Sequence, residues 1–253
     1  MGARRVALVT GGGTGLGRAT AKALAEAGFA VAIAGRRADV CRETASRLRD
    51  EVPGSTVHAY EADVADPDAV ERLVAAVVGH LGGLDVLVAA AGIYEPVPFL
   101  EMTAEAWDRT MDVVLRGAML CSLAAARHMR DHGGGRIILV SSVSGAMSEP
   151  DSAHYNAAKA GIISLARSMA VDIGRYGITA NAVVPGWMRT PMTEEYIAQA
   201  TPEELRRFNV LGRPADPAEV AGLIRYLATG ASTYLTGAAV FIDGGHTAAL
   251  AMP

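Results

Sequence analysis

Tyr155 and Lys159 stand four residues apart within Ser152–Tyr176, a stretch of helical period. At that spacing two side chains share one face of a helix, so the Lys159 ammonium sits beside the Tyr155 phenol and is expected to lower its pKa by favouring phenolate. A tyrosine so placed becomes a usable acid and base. Ser142 stands thirteen positions before it, just after a β-branched run. When hydride reaches a carbonyl carbon, charge builds on the oxygen. A proton from Tyr155 and a hydrogen bond from Ser142 would both stabilise that transition state. A lone Tyr-x-x-x-Lys pair is more often an exposed helix pair, so this reading depends on what else the chain brings to the site.

A second constellation lies near the start. Thr10-Gly11-Gly12-Gly13-Thr14-Gly15-Leu16-Gly17 follows an apolar run and leads directly into a helical stretch beginning Arg18-Ala19-Thr20. Glycines there let backbone approach a pyrophosphate, and a helix N-terminus offers unpaired N–H groups and the positive end of its dipole. The spacing is Gly-x-x-x-Gly-x-Gly, so the context of strand, turn and helix carries more weight than the glycines themselves. About 20 residues further on, where a carboxylate would hold an adenosine 2′-hydroxyl, the chain has Gly35-Arg36-Arg37. Arg36 and Arg37 would instead accept a 2′-phosphate, which points to NADP(H) over NAD(H). The plainer reading of both arginines is a solvated strand end.

These groups need a scaffold. Short β-branched runs at Arg5–Thr10, Ala30–Gly35, Thr56–Tyr60, Leu84–Ala89, Arg136–Ser141, Thr179–Val184 and Ala239–Ile242 alternate with helical patterns. The helical patterns lie near Gly15–Ala27, Ala38–Asp50, Pro67–His80, Ala104–Asp131, Ser152–Tyr176 and Pro217–Thr229. That alternation predicts an α/β fold: a doubly wound parallel sheet of seven strands with helices on both faces. Val6-Ala7-Leu8-Val9 and Val86-Leu87-Val88-Ala89 are apolar throughout, as strands buried on both sides require. No linker divides residues 1–253, so one domain is expected. The irregular stretch of residues 185–214, with a helical piece at Pro202–Phe208, is expected to be a substrate flap.

The composition excludes other classes. Half of the 253 residues are hydrophobic (51%), and 23 basic against 27 acidic residues give a net charge of −4 without blocks of either sign. A globular chain with a small-molecule partner fits; nucleic acid and membrane partners do not. The first apolar run is too short for a signal peptide or a membrane span, and Cys41 and Cys121 suggest neither disulfide nor zinc, so a cytoplasmic location is expected. His128 and His132 have metal-ligand spacing but lack a third ligand, and no metal is expected. His154 adjoins Tyr155, yet successive helical positions face different ways. Trp187, Met192, Tyr196 and Phe208 could line a pocket or simply pack the flap.

With Ser142, Tyr155-Asn156-Ala157-Ala158-Lys159 and the glycine turn in place, the chain resembles the short-chain dehydrogenase/reductase family. The resemblance runs nearly end to end, through Asp63-Val64, Pro185-Gly186 with Thr190, and Asp243-Gly244-Gly245. It implies a Rossmann-type sheet and hydride transfer between a nicotinamide and a ketone or secondary alcohol, with Ser142, Tyr155 and Lys159 catalytic. It implies further that Lys159 holds the nicotinamide ribose, that Asp63 and Val64 flank the adenine, and that Ala90 and Gly92 approach the cofactor. Pro185, Gly186, Met188 and Thr190 would line the nicotinamide, the Met188 main chain and the Thr190 hydroxyl meeting its carboxamide. A homotetramer is also implied, with the two long helices apolar enough to pack across an interface. Two departures stand out. Ala89-Ala90-Ala91-Gly92 replaces the family's Asn-Asn-Ala-Gly, and Val114 stands where the family has the asparagine of its proton relay. Both replace polar with apolar groups, and they leave open a second reading, a cofactor-binding interaction or sensor protein with little catalysis.

Overall fold

Seven strands form one parallel sheet in the computed structural model, which describes residues 4–248. The strands are β1 (Val6–Thr10), β2 (Ala30–Gly35), β3 (Thr56–Glu61), β4 (Val86–Ala89), β5 (Gly135–Val140), β6 (Ile178–Pro185) and β7 (Ala239–Ile242), in the order β3-β2-β1-β4-β5-β6-β7. Successive residues of a strand point to opposite faces, and here both faces are apolar. On one side Leu8, Ala32, Leu87, Ile137 and Ala180 pack under α3 (Pro67–Leu81), α5 (Gly117–Asp131) and α6 (Ala153–Ile173). On the other, Val9, Ile33, Val88, Ile138 and Val183 pack under α1 (Gly15–Glu26), α2 (Ala38–Glu51) and α9 (Pro217–Thr229). Each fully buried Leu or Ile stabilises such layers by about 1.5–3 kcal/mol, before the entropy of ordering the chain is set against it.

The sheet grows outward from β1 in one direction and from β4 in the other. Strand order therefore reverses between β1 and β4, leaving a crevice beyond the carboxyl ends of those strands, the place where open α/β sheets bind ligands. Local signals set the element ends. The Asp66 side chain accepts from the Asp68 N–H at 2.9 Å just before Pro67, and Gly82 closes α3 at φ 85°.

Residues 104–131 do not form the single helix that their period suggests. After α4 (Ala104–Thr110) the chain makes a π-helical turn at Met111–Arg116 before continuing as α5. The wider turn accompanies close packing on both sides. A Cβ on Gly161 of α6 would lie 2.7 Å from Leu115, and one on Gly117 would lie 2.7 Å from Val64. A change from i→i+4 to i→i+5 bonding leaves no mark in an apolar pattern, and such turns occur often at functional sites. Between β6 and α9 lie two short helices, α7 (Glu194–Gln199) and α8 (Pro202–Phe208), of which the sequence pattern indicates only the second. Among the described residues no helix is long and apolar enough to cross a membrane.

Candidate active site

A cavity of about 370 Å³ opens at the crevice. It is lined by Gly11, Gly13, Thr14, Gly15, Leu16, Gly17, Arg36, Arg37, Val64, Ala90, Gly92, Ser142, Tyr155, Lys159, Pro185, Gly186, Met188 and Thr190. Two positions expected there are not part of its wall. Thr10 is fully buried, and its hydroxyl accepts the N–H groups of Ala90 and Ala91 at 3.2 and 3.3 Å, tying the end of β1 to the chain after β4. Asp63 turns its carboxylate back to accept the Ala65 N–H at 3.0 Å. Both serve the backbone on which the cavity is built.

The glycine turn is packed against itself. A Cβ on Gly17 would lie 2.1 Å from the Gly11 carbonyl oxygen; Gly11, at φ +68°, passes so near the chain after β4 that its own Cβ would meet the Ala90 oxygen at 2.9 Å. The Thr44 hydroxyl donates to the Gly13 carbonyl at 2.8 Å and pins the turn to α2. Thr14, the N-cap of α1, makes no side-chain capping bond, so the first turn of this twelve-residue helix keeps N–H groups without a side-chain partner. A bare backbone turn, an uncapped helix start and the exposed Arg36 and Arg37 beyond it suit a dinucleotide pyrophosphate and its adenosine end. Neither arginine has an ion-pair partner among the described residues.

Across the cavity, Tyr155 and Lys159 project from the start of α6, with the Lys159 Nζ 5.5 Å from the Tyr155 ring centre. Lys159 is held from several sides. Its Nζ donates to the Val140 carbonyl at 2.9 Å, and its own carbonyl accepts from Ser141 Oγ at 2.7 Å. The short turn Val143–Gly145 presses on the same residue, where a Cβ on Gly145 would stand 2.6 Å from the Lys159 carbonyl. Ser142 begins that turn, its Oγ accepting the Ser144 N–H at 3.1 Å.

The electrostatics correct one expectation. Lys159 does not lower the Tyr155 pKa in this structure. Burial raises it, the Glu149 carboxylate raises it further, and a hydrogen bond with Ser142 opposes them only in part. Burial also pushes Lys159 from the usual 10.5 down to about 8. The same desolvation that disfavours phenolate disfavours ammonium. A lowered lysine pKa has a testable consequence for stability. Between about pH 8 and 10.5 the unfolded chain keeps a proton on Lys159 that the native chain has lost. Stability therefore rises with pH across that window, by about 3 kcal/mol. Lys159→Met removes the rise. Urea unfolding of both proteins at pH 7 and pH 10.5 measures it as the change in their stability difference, and parallel pH profiles would show Lys159 to be solvated.

A family description, enoyl-(acyl carrier protein) reductase, matches residues 11–247. Over 247 residues the chain is 43% identical to cis-4-hydroxycyclohexanecarboxylate dehydrogenase of Sinomonas cyclohexanicum, covering 97% of this chain and 98% of that one. It is 40% identical to the L-rhamnose 1-dehydrogenase (NAD(P)(+)) of Azotobacter vinelandii, with 95% and 96% covered. The crystal structure of a short-chain type dehydrogenase/reductase from Mycobacterium marinum superposes with a TM-score of 0.90 at 38% identity, covering 97% of this chain and 96% of that one. The chain belongs to the short-chain dehydrogenase/reductase family. It is accordingly an oxidoreductase of the alcohol–carbonyl couple working with a nicotinamide cofactor.

The two departures from the short-chain dehydrogenase/reductase pattern now have a physical setting. Where asparagine side chains after β4 are missing, the Thr10 hydroxyl bonds the backbone instead. Val114 lies in the π-helical turn at 1% exposure, and its Cγ2 and the Lys159 Nζ both lie 4.0 Å from where a Cβ on Gly92 would be. An apolar side chain thus stands in place of the relay asparagine, and the ammonium donates to the Val140 backbone carbonyl.

Among the polar cavity residues that the sequence reading missed are Tyr94 and Glu149. Neither belongs to a spaced motif; only the folded loops after β4 and β5 bring them to Tyr155. Met192, Tyr196 and Trp187 also line the cavity, while Phe208 stacks on the Trp187 ring at 3.9 Å. The His128 and His132 rings stack at 4.0 Å, and no cluster among the described residues is placed to hold a metal. His154 is buried with both ring nitrogens unbonded, and nothing in the structure explains this.

Proposed function

We propose that this short-chain dehydrogenase/reductase interconverts a ketone and a secondary alcohol, prefers NADP(H), and uses Tyr155 as its general acid and base. The observation carrying this reading is that Ser142, Tyr155 and Lys159 face one cavity whose other end is a bare glycine turn with two exposed arginines. Bound there, the nicotinamide supplies or takes up the hydride. In reduction Tyr155 gives its proton to the carbonyl oxygen while Ser142 donates a hydrogen bond to the same atom. A phenol kept protonated by burial suits the donor role. Lys159 would hold the ribose, and Pro185, Gly186, Met188 and Thr190 would wall in the nicotinamide. Hydroxycyclohexanecarboxylate and rhamnose, the substrates in the names of two relatives, both present a CH–OH group.

The reading includes a single domain with residues 185–214 as the substrate flap, a cytoplasmic location and a homotetramer. Trp107, Leu123 and Val171 give the helices around α5 and α6 exposed apolar side chains for subunit packing. A monomer mass by light scattering would remove the tetramer.

Turnover of ketones with NADPH tests the activity directly. The competing reading, a protein that binds cofactor with little catalysis, draws support from the apolar Val114 in place of the relay asparagine. It requires NADPH binding without turnover. Cofactor choice has its own test. Arg36→Ala is expected to raise the KM for NADPH about ten- to a hundredfold, the worth of a charge-assisted contact, and that for NADH much less. Equal effects on both would show that Arg36 does not meet the 2′-phosphate.

A further inference from the structure

We infer that Glu149 selects the substrate: it favours a neutral molecule carrying a second hydroxyl beyond the reacting carbon and disfavours one carrying a carboxylate there. The inference rests on the reading of the site given above and adds the substrate class. Four charged side chains line the cavity, namely Arg36, Arg37, Lys159 and Glu149. The arginines belong to the adenosine end and Lys159 to the ribose, which leaves Glu149 as the carboxylate at the substrate end.

Its position is fixed by the helix that carries the catalytic tyrosine. Asn156 Nδ2 donates to the Glu149 carbonyl at 3.0 Å, and the Glu149 N–H donates back to Asn156 Oδ1 at 3.5 Å. The residue is half-buried, and no cation pairs with it among the described residues. Tyr94 completes this end. Its ring meets Tyr155 edge-on with centres 5.0 Å apart, and its hydroxyl accepts from Ser152 Oγ at 3.2 Å. Burial and the Glu149 carboxylate hold that hydroxyl protonated, against the pull of Ser152. The far side of the pocket thus offers an anionic acceptor with a phenol beside it. A substrate hydroxyl can donate to Glu149. A substrate carboxylate meets like charge in a partly desolvated space, where repulsion is not quenched by bulk water.

Three ring ketones of one shape separate the terms: cyclohexanone, 4-hydroxycyclohexanone and 4-oxocyclohexanecarboxylate. Each is assayed with NADPH in the wild type and in Glu149→Gln. The measurement is the ratio of kcat/KM for the hydroxylated ketone to that for the carboxylated one, in which any loss common to both cancels. Glu149→Gln is expected to lower this ratio about tenfold or more by removing the repulsion and weakening the hydroxyl contact. Calorimetric binding of 1,4-cyclohexanediol and 4-hydroxycyclohexanecarboxylate to the protein with NADPH, a combination with no hydride acceptor, gives the same comparison without turnover, and the same shift is expected. An unchanged ratio in both measurements overturns the role of Glu149 while leaving the oxidoreductase reading intact. A shifted binding ratio with no turnover of any ketone supports Glu149 as selector and overturns the catalytic reading.

Discussion

Tyr155→Phe is expected to lower kcat about 10²- to 10⁴-fold, the usual worth of a positioned general acid, and to leave cofactor affinity nearly unchanged. The reason is local. The substitution removes one oxygen and keeps the ring that packs edge-on against Tyr94. The Ser142 and Lys159 bonds to the backbone are also retained, since neither uses the phenol. Stopped-flow turnover and cofactor fluorescence titration would measure the two quantities on the same preparation. Near wild-type turnover would move the proton donor elsewhere. A large loss of cofactor affinity would mean that Tyr155 shapes the cofactor site as well as the chemistry.

Gly17→Ala is expected to be the most damaging single-methyl substitution in the glycine turn. Its Cβ would stand 2.1 Å from the Gly11 carbonyl oxygen and 3.0 Å from the Gly12 Cα, both backbone atoms that no rotamer change can move. Relief requires the turn and the start of α1 to separate, which spoils the surface offered to a pyrophosphate. Overpacking of this kind costs about 1–3 kcal/mol or more in stability, and cofactor affinity should fall by roughly a hundredfold. Gly79→Ala is the natural control. Gly79 lies inside α3 with nothing within 4 Å of its would-be Cβ, and alanine there should stabilise the helix by about 0.5–1 kcal/mol. Differential scanning calorimetry with and without NADPH reads both changes. Unchanged cofactor binding by Gly17→Ala would show that the pyrophosphate does not rest on this turn.

The sheet and most of the cavity were legible because their signals are local. Strands buried on both faces read as unbroken apolar runs, and the glycines between Gly11 and Gly17 announce a tight turn, in which Gly11, Gly12 and Gly17 leave no room for a Cβ. The pair Tyr155 and Lys159 needed only helical spacing. What escaped depends on contacts between distant segments. The π-helical turn arises where Leu115 and Gly117 pack against Gly161 and Val64, partners that lie far apart in the chain. Tyr94 and Glu149 carry no spacing signature. The protonation expected of Tyr155 failed for a related reason: proximity to Lys159 follows from sequence, whereas the depth at which both are buried follows only from tertiary packing.

The pairing of β1 with β4 bears on how ligand binding and folding are coupled. Residue Thr10 aligns with Ala89, and all of the glycine turn lies before this seam while Ser142, Tyr155 and Lys159 lie after it. A cofactor spanning the cavity therefore touches two stretches of chain joined in the sheet by this seam. Partly folded chains in which one half is formed and the other is loose present no complete site, so a bound dinucleotide stabilises only the fully docked molecule. By mass action that amounts to about 2.7 kcal/mol at a hundredfold excess over Kd. Cofactor supply thereby sets the resistance of the whole chain to proteolysis, including β3 and β7 at the sheet edges, which lie outside the cavity wall.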